Sequence, residues 1–155
     1  MSKLPTVAII GQANVGKSSL FNRLTRSRTA IVAREAGTTR DNVVGKVSYK
    51  RRNVDSAPSD DYSQFWLIDT AGLKTVEDEF EATIQDQIAD ASAAADVILV
   101  TVDSTVYPSD TDRQLAKKAL KSGKPVILIA NKADLKGSLS IDEFKRLGIK
   151  NIIKT

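Results

Sequence analysis

Neither cysteine nor histidine occurs among the 155 residues. The first absence rules out disulfides, thiolate nucleophiles and thiolate metal sites. The second removes the commonest general base and the commonest zinc ligand, so no zinc centre is expected. Also missing are a basic N-terminal region leading into an apolar stretch and any apolar run of membrane-spanning length. The expectation is a cytoplasmic protein with no membrane partner. There is no internal repeat, low-complexity tract or linker. What remains is 41% hydrophobic and 27% charged, the balance of a soluble globular chain forming one domain over residues 1–155.

The formal net charge is +4. Residues 1–78 carry twelve Lys and Arg against eight Asp and Glu, and residues 79–155 carry eleven of each. The excess sits with the loops of the first half, including RSR at 26–28 and KRR at 50–52. Two readings are open. One is an anionic partner such as RNA; the other, for Arg23, Arg26 and Arg28, is a set of cations offsetting the dipole at a helix C-terminus.

Short apolar runs alternate with helical patterns. Strands are expected at 5–10, 43–50, 64–69, 97–102, 126–130 and 149–153. VILVTV (97–102) and VILIA (126–130) are apolar without alternation, as parallel strands covered on both faces are. Thr75 with Asp78, Ser109 with Asp112, and Ser140 with Glu143 each pair a cap with an acid three residues on, marking helix starts. After Thr75, Phe80, Ile84, Ile88 and Ala91 form a core stripe at helical spacing. The polar stretch NVDSAPSDDYS (53–63) is read as joining two antiparallel strands. The pattern is that of an α/β layer domain.

Against this background GQANVGKSS (11–19) follows the apolar TVAII and precedes a helical pattern, SSLFNRLTR. It matches G-x-x-x-x-G-K-[ST] in the context that motif requires. Glycines let successive N–H groups turn inward as an anion nest at a helix N-terminus. Gly11, Gln12, Ala13, Asn14, Val15 and Gly16 form the expected cradle, with Lys17, Ser18 and Ser19 opening the helix. Lys17 would reach the β- and γ-phosphates and Ser18 would ligate Mg²⁺.

Two further motifs choose the nucleotide. DTAG (69–72) ends an apolar strand; Asp69 would hold Mg²⁺ through water, and the Gly72 N–H would touch the γ-phosphate, with Thr70, Ala71 and Leu73 beside the nucleotide. NKAD (131–134) follows VILIA. The Asp134 carboxylate can accept from guanine N1–H and the 2-amino group, donors that adenine does not offer in that arrangement. Lys132 would lay its stem along the base, Asn131 would tie this loop to the phosphate loop, and Ala133 completes the turn. All three motifs end strands, where ligands bind in such sheets. A P-loop kinase or ATPase is disfavoured by NKAD; a hydrolysing switch and a binding module of negligible turnover both stay open.

With these residues in view the sequence resembles the TrmE–Era–EngA class of P-loop GTPases. GTTRD (37–41) is similar to that class's first switch, and Thr39 stands at the threonine that ligates Mg²⁺ and senses the γ-phosphate. NVGKSSLFNRLTRSRTAIV (14–32) and the stretch from ADVILVTVD to NKAD look most like the first GTPase domain of the Der (EngA) family. Departures are Gln12–Ala13 for the usual Arg–Pro, Ala36 for Pro, and Val44 for a common Tyr. The resemblance implies a Ras-like P-loop domain: a mostly parallel six-stranded sheet, helices on both faces, one antiparallel edge strand. It implies a GTP-hydrolysing switch acting in large ribosomal subunit assembly, meeting the subunit and its rRNA through parts of a longer protein. A TrmE- or Era-type role in tRNA modification or small-subunit assembly is the alternative. The family places a Ser-Ala motif near IIKT, and nothing here matches it, so an N-terminal fragment of a longer protein is expected. Lys17, Thr39, Gly72 and Asn14 are the implied catalytic residues. Leu73 replaces the glutamine that orients water in Ras-type enzymes, and in this class the asparagine at the position of Asn14 helps hold a K⁺ ion that supplies the missing charge.

Overall fold

The computed structural model describes residues 4–12, 15–25, 31–34, 41–50, 62–69 and 84–155. Unbroken apolar runs send successive side chains to opposite sides of a sheet, and here both sides are covered. In β1 (Thr6–Gly11) Ala8 and Ile10 enter one core and Ile9 another. β5 (Val97–Asp103) and β6 (Val126–Asn131) repeat the division, with Ile98, Val100 and Leu128 on the first side and Leu99 and Ile129 on the second. α1 (Lys17–Thr25) covers the second side with Leu20 and Phe21. α2 (Ile84–Ala94) and α3 (Asp110–Lys121) cover the first with Ala91, Leu115, Ala116 and Ala119. Withdrawing a large side chain such as Ile10 or Leu128 from water contributes about 1.5–3 kcal/mol, so helices on both faces follow from the strand composition.

Adding β2 (Ile31–Arg34), β3 (Asp41–Lys50), β4 (Tyr62–Asp69) and β7 (Asn151–Lys154), the strand order is β2-β3-β4-β1-β5-β6-β7. β4, β1, β5, β6 and β7 are mutually parallel, and β3 runs against both β4 and β2. The mostly parallel Ras-like sheet is therefore present, with two differences from the expectation. The described sheet has seven strands rather than six, and the reversed strand β3 is not the edge, because β2 pairs outside it from Ile31↔Val44 to Arg34↔Asp41. Four residues are too few for a period to stand out, so this strand is defined by its partner.

Ser109 and Asp112 form the expected reciprocal cap of α3: Ser109 Oγ accepts from the Asp112 N–H at 3.2 Å and Asp112 Oδ2 from the Ser109 N–H at 3.0 Å. Ser140 instead accepts from the Asp142 N–H, at 3.3 Å, and starts a pair of 3₁₀ turns, Ile141–Glu143 and Lys145–Leu147. Phe144 and Leu147, three apart, are both buried; that spacing eclipses on a 3₁₀ turn and puts them on one side. Of the expected helix after Thr75, residues from Ile84 onward are helical with Ala91 fully buried. Thr75, Asp78, Phe80 and the 53–61 stretch lie outside the described residues, but the strands flanking that stretch, β3 and β4, are antiparallel as expected.

Candidate nucleotide-binding site

β1, β4, β5 and β6 all point their C-terminal ends to one edge of the sheet, ending in Gly11, Asp69, Asp103 and Asn131. The chain leaves β1 toward α1 on one face, and α2 and α3 lie on the other. The end of β1 is thus a topological switch point, where a crevice opens in such sheets.

The described residues of the phosphate-loop motif, Gly11, Gln12 and 15–19, lie at this point. Gly11 lies so close to β5 that a Cβ there would stand 2.6 Å from the Thr101 carbonyl oxygen. Gly16 has φ +90, and a Cβ there would fall on Asn131 Nδ2; only glycine accepts both conditions. Lys17, 9% exposed, folds its side chain back so that Nζ donates to the Gly11 carbonyl at 2.7 Å. Val15 is buried, Ser18 lies in the first turn of α1 and Ser19 is exposed. The Leu20 N–H donates to the Gly16 carbonyl at 2.9 Å and closes the first turn of α1, and the N-terminal end of a helix carries the partial positive charge that suits an anion. Ala13 and Asn14 lie outside the described residues.

Gln12, at the root of the loop, reaches α3. Its Nε2 donates to Ser109 Oγ and, at 2.9 Å, to Asp112 Oδ1. The reciprocal cap of α3 is therefore shared with the phosphate loop; the sequence places Gln12 in the phosphate cradle, as a departure from the family's Arg, but does not show its link to α3.

NKAD leaves the end of β6. Asn131, 8% exposed, donates from Nδ2 to the carbonyls of Val15 at 3.0 Å and Gly16 at 3.3 Å. The expected tie between the two motifs is made by these bonds, across 116 residues of sequence. Lys132 takes φ 63, and its Nζ pairs with Asp103 Oδ2 at 3.0 Å. Burial alone would push the Asp103 carboxyl up; hydrogen bonds from Thr105 and Lys132 outweigh it and hold the group below 3.8. Asp134 is exposed and has no hydrogen-bond or ion-pair partner among the described residues, so its carboxylate is open to a ligand. Ala133 is fixed through its N–H, which donates to the Thr155 carbonyl at 2.9 Å.

Two contributors escaped the sequence reading. Thr155 Oγ1 donates to Asn131 Oδ1 at 2.8 Å, so the Asn131 amide is held from both ends. Its only sequence signal was a hydroxyl residue at the end of an apolar strand. Asp103 carried a better one, an acid ending an apolar strand as Asp69 does. Asp69 is 2% exposed at the end of β4 and sits in register with Ile9 of β1, two residues before the loop. Its oxygens and the Ser18 hydroxyl are hard donors of the kind Mg²⁺ takes. Thr39, Thr70, Ala71, Gly72 and Leu73 lie outside the described residues. No helix among the described residues is long and apolar enough to cross a membrane.

Known proteins place this arrangement. The sequence profile of the 50S ribosome-binding GTPases matches residues 6–132. GTPase Der of Porphyromonas gingivalis is 43% identical over 145 residues, covering 92% of this chain and 31% of that protein. GTPase Der of Gemmatimonas aurantiaca is 41% identical over 152 residues, covering 96% and 32%. The chain thus spans about a third of the length of these relatives. Among solved structures, the G domain of the Thermotoga maritima FeoB iron transporter superposes with TM-score 0.69 at 28% identity, covering 99% of this chain and 87% of that one. A point variant of Aquifex aeolicus Era bound to GDP and AlF₄⁻ gives 0.67 at 29% identity, covering 99% and 51%. A family match over most of the chain, with the phosphate loop and NKAD held side by side, establishes that the chain belongs to the 50S ribosome-binding GTPases.

Proposed function

We propose that the chain is the guanine-nucleotide switch domain of a longer cytoplasmic protein, binding GTP with Mg²⁺, hydrolysing it to GDP and phosphate, and acting in assembly of the large ribosomal subunit. The Asn131 bridge carries the reading, since it ties the loop that bears Asp134, the carboxylate that would read guanine, to the loop that would take the phosphates. On binding, Lys17 exchanges the Gly11 carbonyl for phosphate oxygens, and the N–H groups opening α1 face the same charge. Asp69, Ser18 and Thr39 would hold Mg²⁺, which would supply positive charge to the phosphate oxygens. Water then attacks the γ-phosphorus, the bond to the β–γ bridging oxygen breaks, and that oxygen leaves with GDP. Gly72 would contact the γ-phosphate. Asn14 would contribute to a K⁺ site, offsetting the absence of a polar side chain at Leu73.

Competition binding tests the base assignment. GTP should outcompete ATP by ~10⁴-fold or more, because adenine leaves the carboxylate unpaired, and Asp134→Asn should exchange GTP for xanthosine triphosphate. Equal affinity for ATP and GTP overturns the reading. Hydrolysis should run faster in KCl than in NaCl at equal ionic strength, and Asn14→Ala should remove the difference; identical rates in the two salts dismiss the K⁺ site alone. The full-length protein should co-sediment with large subunits more strongly with a GTP analogue than with GDP. Sedimentation indifferent to the nucleotide counts against a switch.

A further inference from the structure

The neutrality of residues 79–155 conceals a division. Residues 79–109 hold six acids and no base, whereas residues 110–155 hold eleven bases against five acids. The structure gathers part of this excess in one place. Arg113, Lys117 and Lys121 recur every four residues along the outer side of α3, and all three are exposed. Leu120, 44% exposed, lies beside Gly148, within 3.6 Å of where a Cβ on that glycine would stand. Arg146 and Lys150 flank Gly148 in the chain and are exposed.

Charge pairing divides these cations. Arg113 is held by Asp110 at 2.9 Å, and Lys145 by Asp142 at 2.9 Å. Lys117, Lys121, Arg146 and Lys150 have no acidic partner among the described residues. Lys117 and Lys121 share the C-terminal half of α3 with Leu120, and Arg146 and Lys150 flank Gly148, which lies beside Leu120, at the end of α3 away from the Ser109–Gln12 link. An occupant there leaves the nucleotide crevice clear.

Resting on the ribosomal reading above, we infer that this surface, Lys117, Lys121, Arg146 and Lys150 with Leu120, is a docking site for the phosphate backbone of double-helical RNA. Neighbouring helix positions three or four apart lie about 5–6 Å from each other, a separation suited to successive phosphates. Lysine and arginine without acidic neighbours release counterions on meeting such a backbone, which is the main driving force for binding of this kind. The contact reads charge and shape, not sequence, as double-helical RNA generally requires.

Two charge-matched variants of the 155-residue chain test this. The first combines Lys117→Gln, Lys121→Gln and Arg146→Gln; the second combines Arg23→Gln, Lys46→Gln and Lys136→Gln, exposed cations elsewhere. Binding to a fluorescein-labelled RNA duplex is followed by anisotropy across a salt series. The first variant should flatten the slope of log K against log salt by about two to three units, near one per lost contact, while the second changes it little. Equal slopes in both variants show that only net charge matters and overturn the surface. A poly-glutamate probe that suppresses duplex binding by the native chain only weakly supports RNA, whereas efficient competition reassigns the surface to an acidic protein. GTP hydrolysis is measured alongside. A native chain that neither hydrolyses nor prefers GTP defeats the switch reading, while an unchanged slope with hydrolysis intact defeats the RNA surface alone.

Discussion

The two loops that frame the crevice leave the same edge of the same sheet and are built on opposite principles. The phosphate loop is shaped by missing atoms: no Cβ at Gly11 or Gly16, so backbone can lie against β5 and against Asn131. The NKAD loop, proposed to read guanine, is shaped by side chains arriving from elsewhere, with Asp103 holding Lys132 and Thr155 holding Asn131 and, through its carbonyl, Ala133. A loop that presents its backbone to a ligand needs free N–H groups and room. A loop that selects a base needs one carboxylate kept in a fixed place, and cross-links supply that. Asn131 belongs to both, since it stands in the second loop and donates into the first.

Gly16→Ala should break the comparison most severely. The new methyl group meets the Asn131 amide while the backbone is forced to hold φ +90. Strain of this kind costs about 1–3 kcal/mol, before the displaced amide is counted. The expected result is a lowered melting temperature together with loss of measurable GDP binding by isothermal titration. Asn131→Ala comes next, because it takes the Asn131 amide donor from the Val15 carbonyl and one of two donors from the Gly16 carbonyl, which keeps the Leu20 N–H. Losing buried partners costs ~1–3 kcal/mol, so GDP affinity should fall by about tenfold to a hundredfold. Phosphate-loop amides should also exchange hydrogen faster; unchanged exchange would mean the two loops are independent.

Thr155→Val removes one hydroxyl and keeps the shape. An expected loss of about 1 kcal/mol should appear as a severalfold weaker GDP affinity. It should vanish in the Asn131→Ala background, since the two side chains act through one hydrogen bond. Additive losses would show that Thr155 acts elsewhere.

Asp103→Asn is the mildest. Its pair with Lys132 is partly exposed, and such pairs contribute at most about 1 kcal/mol, so affinity at neutral pH should drop only a few-fold. The pH dependence is the sharper readout. The carboxyl sits below its ordinary 3.8 in the folded chain, so its contribution is complete above that value and lost as pH falls through the lower one. Acid unfolding monitored by circular dichroism should therefore lose part of its steepness in the Asn variant. Superimposable acid curves would remove the pair from the account.

The contrast between the loops also explains what could be read ahead of the structure. The phosphate loop is contiguous, and its requirements, two glycines, a lysine and a hydroxyl between a strand and a helix, are written within one short motif. The NKAD loop shows only its own four residues that way. Its supports lie 29 residues before Lys132, at Asp103, and 24 after Asn131, at Thr155, and no local pattern connects them. Gln12 is a similar case: a polar residue in the loop gains its meaning from Ser109 and Asp112, brought beside it by the packing of α3.

The sequence by itself determined the layer architecture, because unbroken apolar strands must be covered on two faces, and it determined the chemistry of the loops, because glycine, lysine and carboxylate act through properties they carry anywhere. Only the tertiary structure decided that β3 is flanked by a further strand, that Asn131 is gripped from both sides, and that basic residues from α3 and the following turns share one surface. Each of these is a relation between residues far apart in the chain. Such relations depend on sheet order and helix packing, which arise from many weak burial terms acting together, and a short motif holds none of that information.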